Sequence, residues 1–138
     1  MSSTPDAHAV AALPAHCLAD DLLPVPVLDA EKLDVYRVAL EFQAVAGKLV
    51  PRCERVLYDQ FQRASLSTLL NTAEGGARRS RPDKARFYAI ARGSAAETAA
   101  ILDVVALRGL APVIECRRGK ALLVRIISML TRLQRVLA

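Results

Sequence analysis

Tryptophan is absent from this chain, and its 138 residues include only three phenylalanines and three tyrosines. A core short of large rings has to be filled by Leu, Ile, Val and Ala. Ala and Leu lose little on entering a helix, so this composition favours helices. The three cysteines, Cys17, Cys53 and Cys116, are odd in number and far apart. That excludes a disulfide framework and the paired short spacing of a zinc site. Free thiols in a reducing compartment are the expectation. Both histidines, His8 and His16, lie near the N-terminus without a ligand partner at metal spacing, so no metal or other cofactor is expected. No apolar run reaches the ~18 to 20 residues that crossing a bilayer requires. The N-terminus has no basic stretch before its apolar residues, and Pro5 and Pro14 interrupt them, unlike a secretory signal. The expected location is the cytoplasm, with no membrane partner.

What is present reads as one domain behind an arm. Residues 1–28 are rich in Ala and Pro, and Pro24 and Pro26 in "DLLPVPVL" force extended backbone at the residues before them. Residues 29–138 carry four helical patterns. In the first, capped by Asp29 and stopped at Pro51, Val35, Val38, Phe42, Val45, Ala46 and Leu49 fall on one face at 3-and-4 spacing. Leu33, Tyr36 and Leu40 form a second stripe nearly opposite. The second helix runs from near Arg55 to Glu74, where Gly75 and Gly76 can close it in a left-handed turn. Its stripes are Leu57, Phe61 and Ala64, then Leu66, Leu69, Leu70 and Ala73, rotated around the axis. The third begins after Ser80, which with Asp83 resembles a capping box, and Pro82 suits its first turn. Phe87, Ile90, Ala91, Ser94, Thr98, Ile101, Leu102 and Val105 form its core stripe. Ala89, Gly93, Ala96 and Ala100 stack small side chains on the reverse, where another helix can approach. After a turn punctuated by Gly109 and Pro112, the last helix spans about Val113 to Leu137. It has a core stripe of Leu123, Ile126, Ile127, Leu130, Leu133 and Leu137, with Arg118, Arg125, Arg132 and Arg135 on the far side. Gly119 weakens its early turns.

Four such helices with short connections predict an all-α, antiparallel up-down-up-down four-helix bundle with an extended N-terminal arm. The spare apolar faces, with Leu33, Tyr36, Leu40, Ala89, Gly93, Ala96 and Ala100 as interface candidates, predict self-association.

The net charge of +5 suits nucleic acid or an acidic protein as partner, and equally suits simple solubility. The densest basic stretch is "NTAEGGARRSRPDKARF", Asn71 to Phe87. Arg78, Arg79, Arg81, Lys84, Arg86 and Arg92 surround a helix start whose free N–H groups and dipole favour an anion. In the alternative, Glu74 and Asp83 pair with some of these arginines and the rest hydrate a corner between helices. A hydroxyl nucleophile at Ser80 or Ser94, or an acid at Tyr88, would need a positioned base and oxyanion donors. No histidine lies in the bundle, so no enzymatic activity is expected.

The register Asn71, Ala73, Glu74, Gly75, Arg78, Ser80, Asp83, Arg86, Phe87, Ile90, Ala91, Gly93, Ser94 and Glu97 resembles a family of small bacterial four-helix bundle proteins. These were first recognised as products of intervening sequences inside 23S ribosomal RNA genes. "LDVYRVALEF", Leu33 to Phe42, and the last helix resemble it more loosely. Leu69-Leu70, Thr72 and Lys84 stand where the family usually has Pro-Ser, Ile and Phe. The resemblance implies a ring-like homopentamer. It also implies kinship to the accessory protein of diversity-generating retroelements, a basic pentamer that binds nucleic acid and a reverse transcriptase. The expected function is therefore a non-enzymatic oligomer that binds RNA or DNA non-specifically, with a protein–protein scaffold as the alternative.

Overall fold

The computed structural model describes residues 28–138; Cys17, His8, His16 and the arm reading lie outside the described residues. The described residues form four long helices, α1 (Asp34–Leu49), α2 (Arg55–Ala77), α3 (Arg81–Leu107) and α4 (Val113–Leu137), with no strand among them. Helix α1 packs side by side with α2 and α4, and α3 with the same two, while α1 faces α3 and α2 faces α4 diagonally across the shared core. The bundle is therefore a four-sided one whose most extensive contact is between α2 and α3.

Its core matches the leucine-rich expectation. Phe42 and Leu49 of α1, Phe61 of α2, Leu102 and Val105 of α3, and Leu123, Ile126 and Leu130 of α4 are fully buried. Fully burying each such side chain contributes roughly 1.5 to 3 kcal/mol. No helix among the described residues is long and apolar enough to cross a membrane.

The helix ends depart from the sequence reading in two places. Asp29 does not cap α1. It opens a short 3₁₀ turn, Asp29–Lys32, that is held by the Leu28 amide donating to Glu31 Oε2 at 2.6 Å, and α1 begins only after Leu33. The other end is as expected: α1 stops at Leu49, and Pro51 sits in the first turn of a second 3₁₀ segment, Val50–Arg52, where a missing N–H is tolerated.

The second departure matters most. Helix α2 continues through Gly75 and Gly76 to Ala77, and both glycines are buried. Neither has a positive φ; that role falls to Gly109, at φ 66° in the turn between α3 and α4. A Cβ at Gly75 would stand 2.6 Å from Tyr88 Cε1, and one at Gly76 would stand 3.1 Å from Ala30 Cα. These glycines give room rather than a turn. Gly119 behaves likewise, since its missing Cβ leaves space that Leu102 and Val45 approach to 3.1 and 3.3 Å.

The α2–α3 contact is built from small residues. Ala64, Thr68 and Thr72 are buried on α2, and Ala91, Ala95 and Thr98 on α3. The hydroxyls of Thr68, Thr72 and Thr98 donate to the carbonyls of Ala64, Thr68 and Ser94 one turn back, at 2.9, 2.7 and 2.7 Å. They are satisfied within their own helices and leave methyl groups at the interface. This arrangement corrects two expected stripes. Leu66 and Leu70 of α2 point outward, Leu70 being 60% exposed, and Ile90 of α3 is 41% exposed while Tyr88 takes the buried place. The Tyr88 ring fills the notch over Gly75, and that rotates Ile90 to the outside.

Gly75→Ala is expected to destabilise the fold by about 1 to 3 kcal/mol through overpacking against Tyr88. Gly47→Ala, in an exposed helical position with nothing within 4 Å of its added carbon, should stabilise by about 0.5 to 1 kcal/mol. Urea unfolding of the two variants checks this opposition of sign. Burial raises the titration points of Tyr88, Cys116 and Cys53, with a nearby Glu115 adding to the shift at Cys116 and Cys116 to that at Cys53. A raised folded value for an acid that ionises to an anion means the stabilisation is complete at neutral pH. It is lost as pH climbs beyond the ordinary thiol and phenol range. Urea midpoints should therefore fall at strongly alkaline pH, and fall less in Tyr88→Phe.

Candidate nucleic-acid interface

All 19 basic residues of the chain lie at or after Lys32, so the bundle carries every basic side chain. The turn between α2 and α3 gathers the six basic residues read from the sequence, yet they do not form one uniform patch.

Lys84, on the first turn of α3, turns back and donates from Nζ to the carbonyls of Gly75 and Gly76, at 3.3 and 3.1 Å. It satisfies carbonyls at the end of α2 and ties that end to the start of the next helix. Arg78 pairs with Glu74 at 2.6 Å, and its guanidinium lies 4.7 Å from the centre of the Phe87 ring. Arg86 lies 4.5 Å from the same ring centre. A ring that holds two cations close together is a cation–π arrangement, and both arginines remain exposed. Arg92 is half-buried one helical turn and a half further along. Arg79 and Arg81 are exposed and enter no ion pair among the described residues. They flank Ser80, whose Oγ accepts from the Asp83 amide at 3.2 Å and so caps α3. Only this half of the capping box forms among the described residues, since the Asp83 carboxylate makes no return bond to Ser80. Asp83 also pairs with none of the arginines, whereas Glu74 does.

The rest of the motif has mostly structural work. Asn71 Nδ2 donates to the Ser67 carbonyl and Oγ at 2.9 and 3.0 Å. Ser67 and Ser94 share a hydroxyl bond of 2.7 Å between α2 and α3. Gln43 of α1 donates to Ser65 Oγ and its carbonyl at 2.9 and 3.0 Å. Ala73 is half-buried and Gly75 lies under Tyr88. Gly93 and Glu97 differ. Gly93 has open space where a Cβ would stand, and Glu97 is exposed without an ion-pair partner among the described residues.

Residues 31–132 match the family described as 23S rRNA-intervening sequence protein. The chain belongs to that family. No curated protein matches it. The match spans the whole of α1, α2 and α3 and most of α4, so the motif joint and both basic surfaces are family territory.

Among the interface candidates, Ala89, Gly93, Ala96 and Ala100 are exposed on α3, while Tyr36 and Leu40 are half-buried on α1. Leu33 packs inside the subunit, with Cδ1 3.3 Å from the position of a Gly76 Cβ. The sequence reading passed over two features here: the outward turn of Leu66 and Leu70, and Lys84 as a bracket between helices. The second carried no sequence signal beyond its position opposite a helix end.

Lys84→Met should keep much of the stem's packing and lose both carbonyl bonds. A loss of about 1 kcal/mol is expected, below the ~1.5 to 3 of a buried charged bond because the ammonium is partly exposed. Hydrogen exchange at amides near Gly75 and in the α2–α3 turn should accelerate more than in α4.

Proposed function

We propose that this protein is a non-enzymatic, cytoplasmic bundle that assembles as a ring-like homo-oligomer of up-down-up-down subunits and binds RNA or DNA through phosphates without sequence preference. The observation that carries the binding reading is the pair Arg79 and Arg81. Both are exposed and free of carboxylates among the described residues, at the N-terminal end of α3. The helix dipole there already favours an anion. Arg78 and Arg86 add cations over Phe87, although Glu74 offsets the first. The family's description, which ties it to a ribosomal RNA intervening sequence, is in keeping with an RNA-related role.

The assembly reading is supported by outward apolar residues. Leu66, Leu70 and Ile90 are exposed beside the small-residue row Ala89, Gly93, Ala96 and Ala100. Gly93 and Glu97, motif residues without work inside the subunit, lie on the same helix. The pentamer follows from the family resemblance. In a ring, each copy repeats the basic corner, and contacts that are weak singly add when one polymer reaches several of them. The same apolar residues favour the second reading, a scaffold that presents this surface to a protein such as a reverse transcriptase.

Titration with mixed-sequence DNA and RNA at low and high salt tests the first reading. Binding should be present at low salt and fall steeply as salt rises, and reversal of Arg78, Arg79 and Arg81 to Glu should weaken it with an unchanged helical circular dichroism signal. No binding to either polymer at low salt removes it in favour of the scaffold. Light scattering at micromolar protein should give a mass several times that of one subunit, and a single-subunit mass contradicts the assembly.

A further inference from the structure

Helix α4 separates its cations by face. Glu115, its single acidic residue, is engaged by Arg52 at 3.4 Å, and Lys120 pairs with Asp103 of α3 at 2.7 Å. The exposed positions of the same helix include Arg117, Arg118, Arg125, Arg132 and Arg135 and no carboxylate, and none of these arginines enters an ion pair among the described residues. Three of them, Arg118, Arg125 and Arg132, follow at intervals of seven residues, two helical turns. On the opposite face Leu123, Ile126 and Leu130 are fully buried, so the three cations stand on an anchored and unbroken rod.

The spacing has a chemical meaning. Seven residues of helix rise about 10.5 Å, while each strand of a duplex places a charge every ~3.4 Å of axis. A straight rod cannot follow one strand as it winds, but laid across the grooves it meets the phosphate ridges of the two strands at groove-width intervals of about 6 to 12 Å, a scale the arginine spacing fits. What is missing from the helix narrows the partner further. It contains no Phe, Tyr or Trp, and its one side-chain amide, Gln134, is partly buried. Single strands gain much of their affinity from bases stacked on aromatic rings, and base sequence is read by groups such as Asn, Gln or bidentate Arg reaching into a groove. Regular charge on a stiff rod suits a polymer whose phosphates are themselves regular.

We infer that the outward face of α4 is a second phosphate track, separate from the α2–α3 corner, that holds the backbone of a double-helical nucleic acid. This rests on the nucleic-acid reading above and assigns it a face and a form of the polymer. The apolar and small residues proposed for assembly lie on α1, α2 and α3; α4 also exposes Ile114, Val124 and Val136 beside its arginines.

Fluorescence anisotropy of the full chain tests it, using a mixed-sequence duplex of about 20 base pairs and a thymidine strand of the same length, at about 50 to 200 mM salt. The wild-type protein should bind the duplex more tightly than the strand. The triple variant Arg118→Gln, Arg125→Gln, Arg132→Gln should lower the slope of log K against log salt by about 2.7, three contacts at about 0.9 each. It should also lose at least tenfold in duplex affinity. Arg79→Gln with Arg81→Gln should lose less, and all variants should keep the wild-type thermal melt. If the triple variant keeps the wild-type slope while the corner variant loses binding, the α4 track is overturned and the nucleic-acid reading survives. Equal or tighter binding of the thymidine strand overturns the duplex assignment. Wild-type protein that binds neither probe at the lowest salt overturns both, and uptake by anionic phospholipid vesicles instead would identify the face as a lipid contact.

Discussion

The close approach of α2 and α3 is the constraint on which the remaining features depend. It exists because Gly75 has no side chain and the Tyr88 ring occupies the space left over it. The residues buried along these two helices include Ala64, Thr68 and Thr72 on α2 and Ala91, Ala95 and Thr98 on α3, none larger than threonine. Dispersion attraction falls off within a fraction of an ångström of optimal contact, so two helices lined with small groups gain it only by coming close. Their bulky apolar residues then have no room between them. Leu66, Leu70 and Ile90 end on the outside, and the surface available for association is a by-product of how the inside is packed.

The charge layout follows from the same geometry. With α2 continuing to Ala77, the chain has only Arg78, Arg79 and Ser80 in which to pass to α3, and the basic residues crowd around that passage. Three of them are engaged locally: Lys84 by two carbonyls, Arg78 by Glu74, and Arg78 and Arg86 by the face of Phe87. Arg79 and Arg81, in and beside the passage itself, are left to solvent. The same division between engaged and free cations recurs on α4, where Lys120 faces Asp103 and the arginines face away. A basic stretch in sequence is thus two populations in space, one holding the fold and one available to a partner.

Much of this fold was legible because its determinants are periodic. The α1 core face and the α4 core stripe came directly from 3-and-4 spacing, and Leu123, Ile126 and Leu130 are buried as that spacing demands. Ser80 was found as a cap because the chemistry of a cap is local. The α2–α3 contact was read only in part, for the opposite reason. Ala64, Ala91 and Thr98 were found by spacing, but the buried Thr68 and Thr72 are polar by type and the outward Ile90 is apolar, and hydrophobic spacing points the wrong way when threonine hydroxyls bond within their own helix. Gly75 and Gly76 were read as a stop because glycine near a helix end usually is one. What distinguishes a stop from a notch is a ring arriving from another helix, and that information lies thirteen residues away at Tyr88. The six basic residues fall in one stretch of chain, Arg78 to Arg92. Their division into bound and free required knowing where carbonyls, Glu74 and Phe87 stand.

The threonine hydroxyls leave the middle of the α2–α3 contact without directional bonds, so nothing chemical there distinguishes one axial alignment of the two helices from another a turn away. Apart from the Ser67–Ser94 bond at its edge and the Lys84 bonds to the Gly75 and Gly76 carbonyls at its end, the Tyr88 ring seated over Gly75 acts as a mechanical index, a peg in a hole that fixes how far one helix can slide along the other.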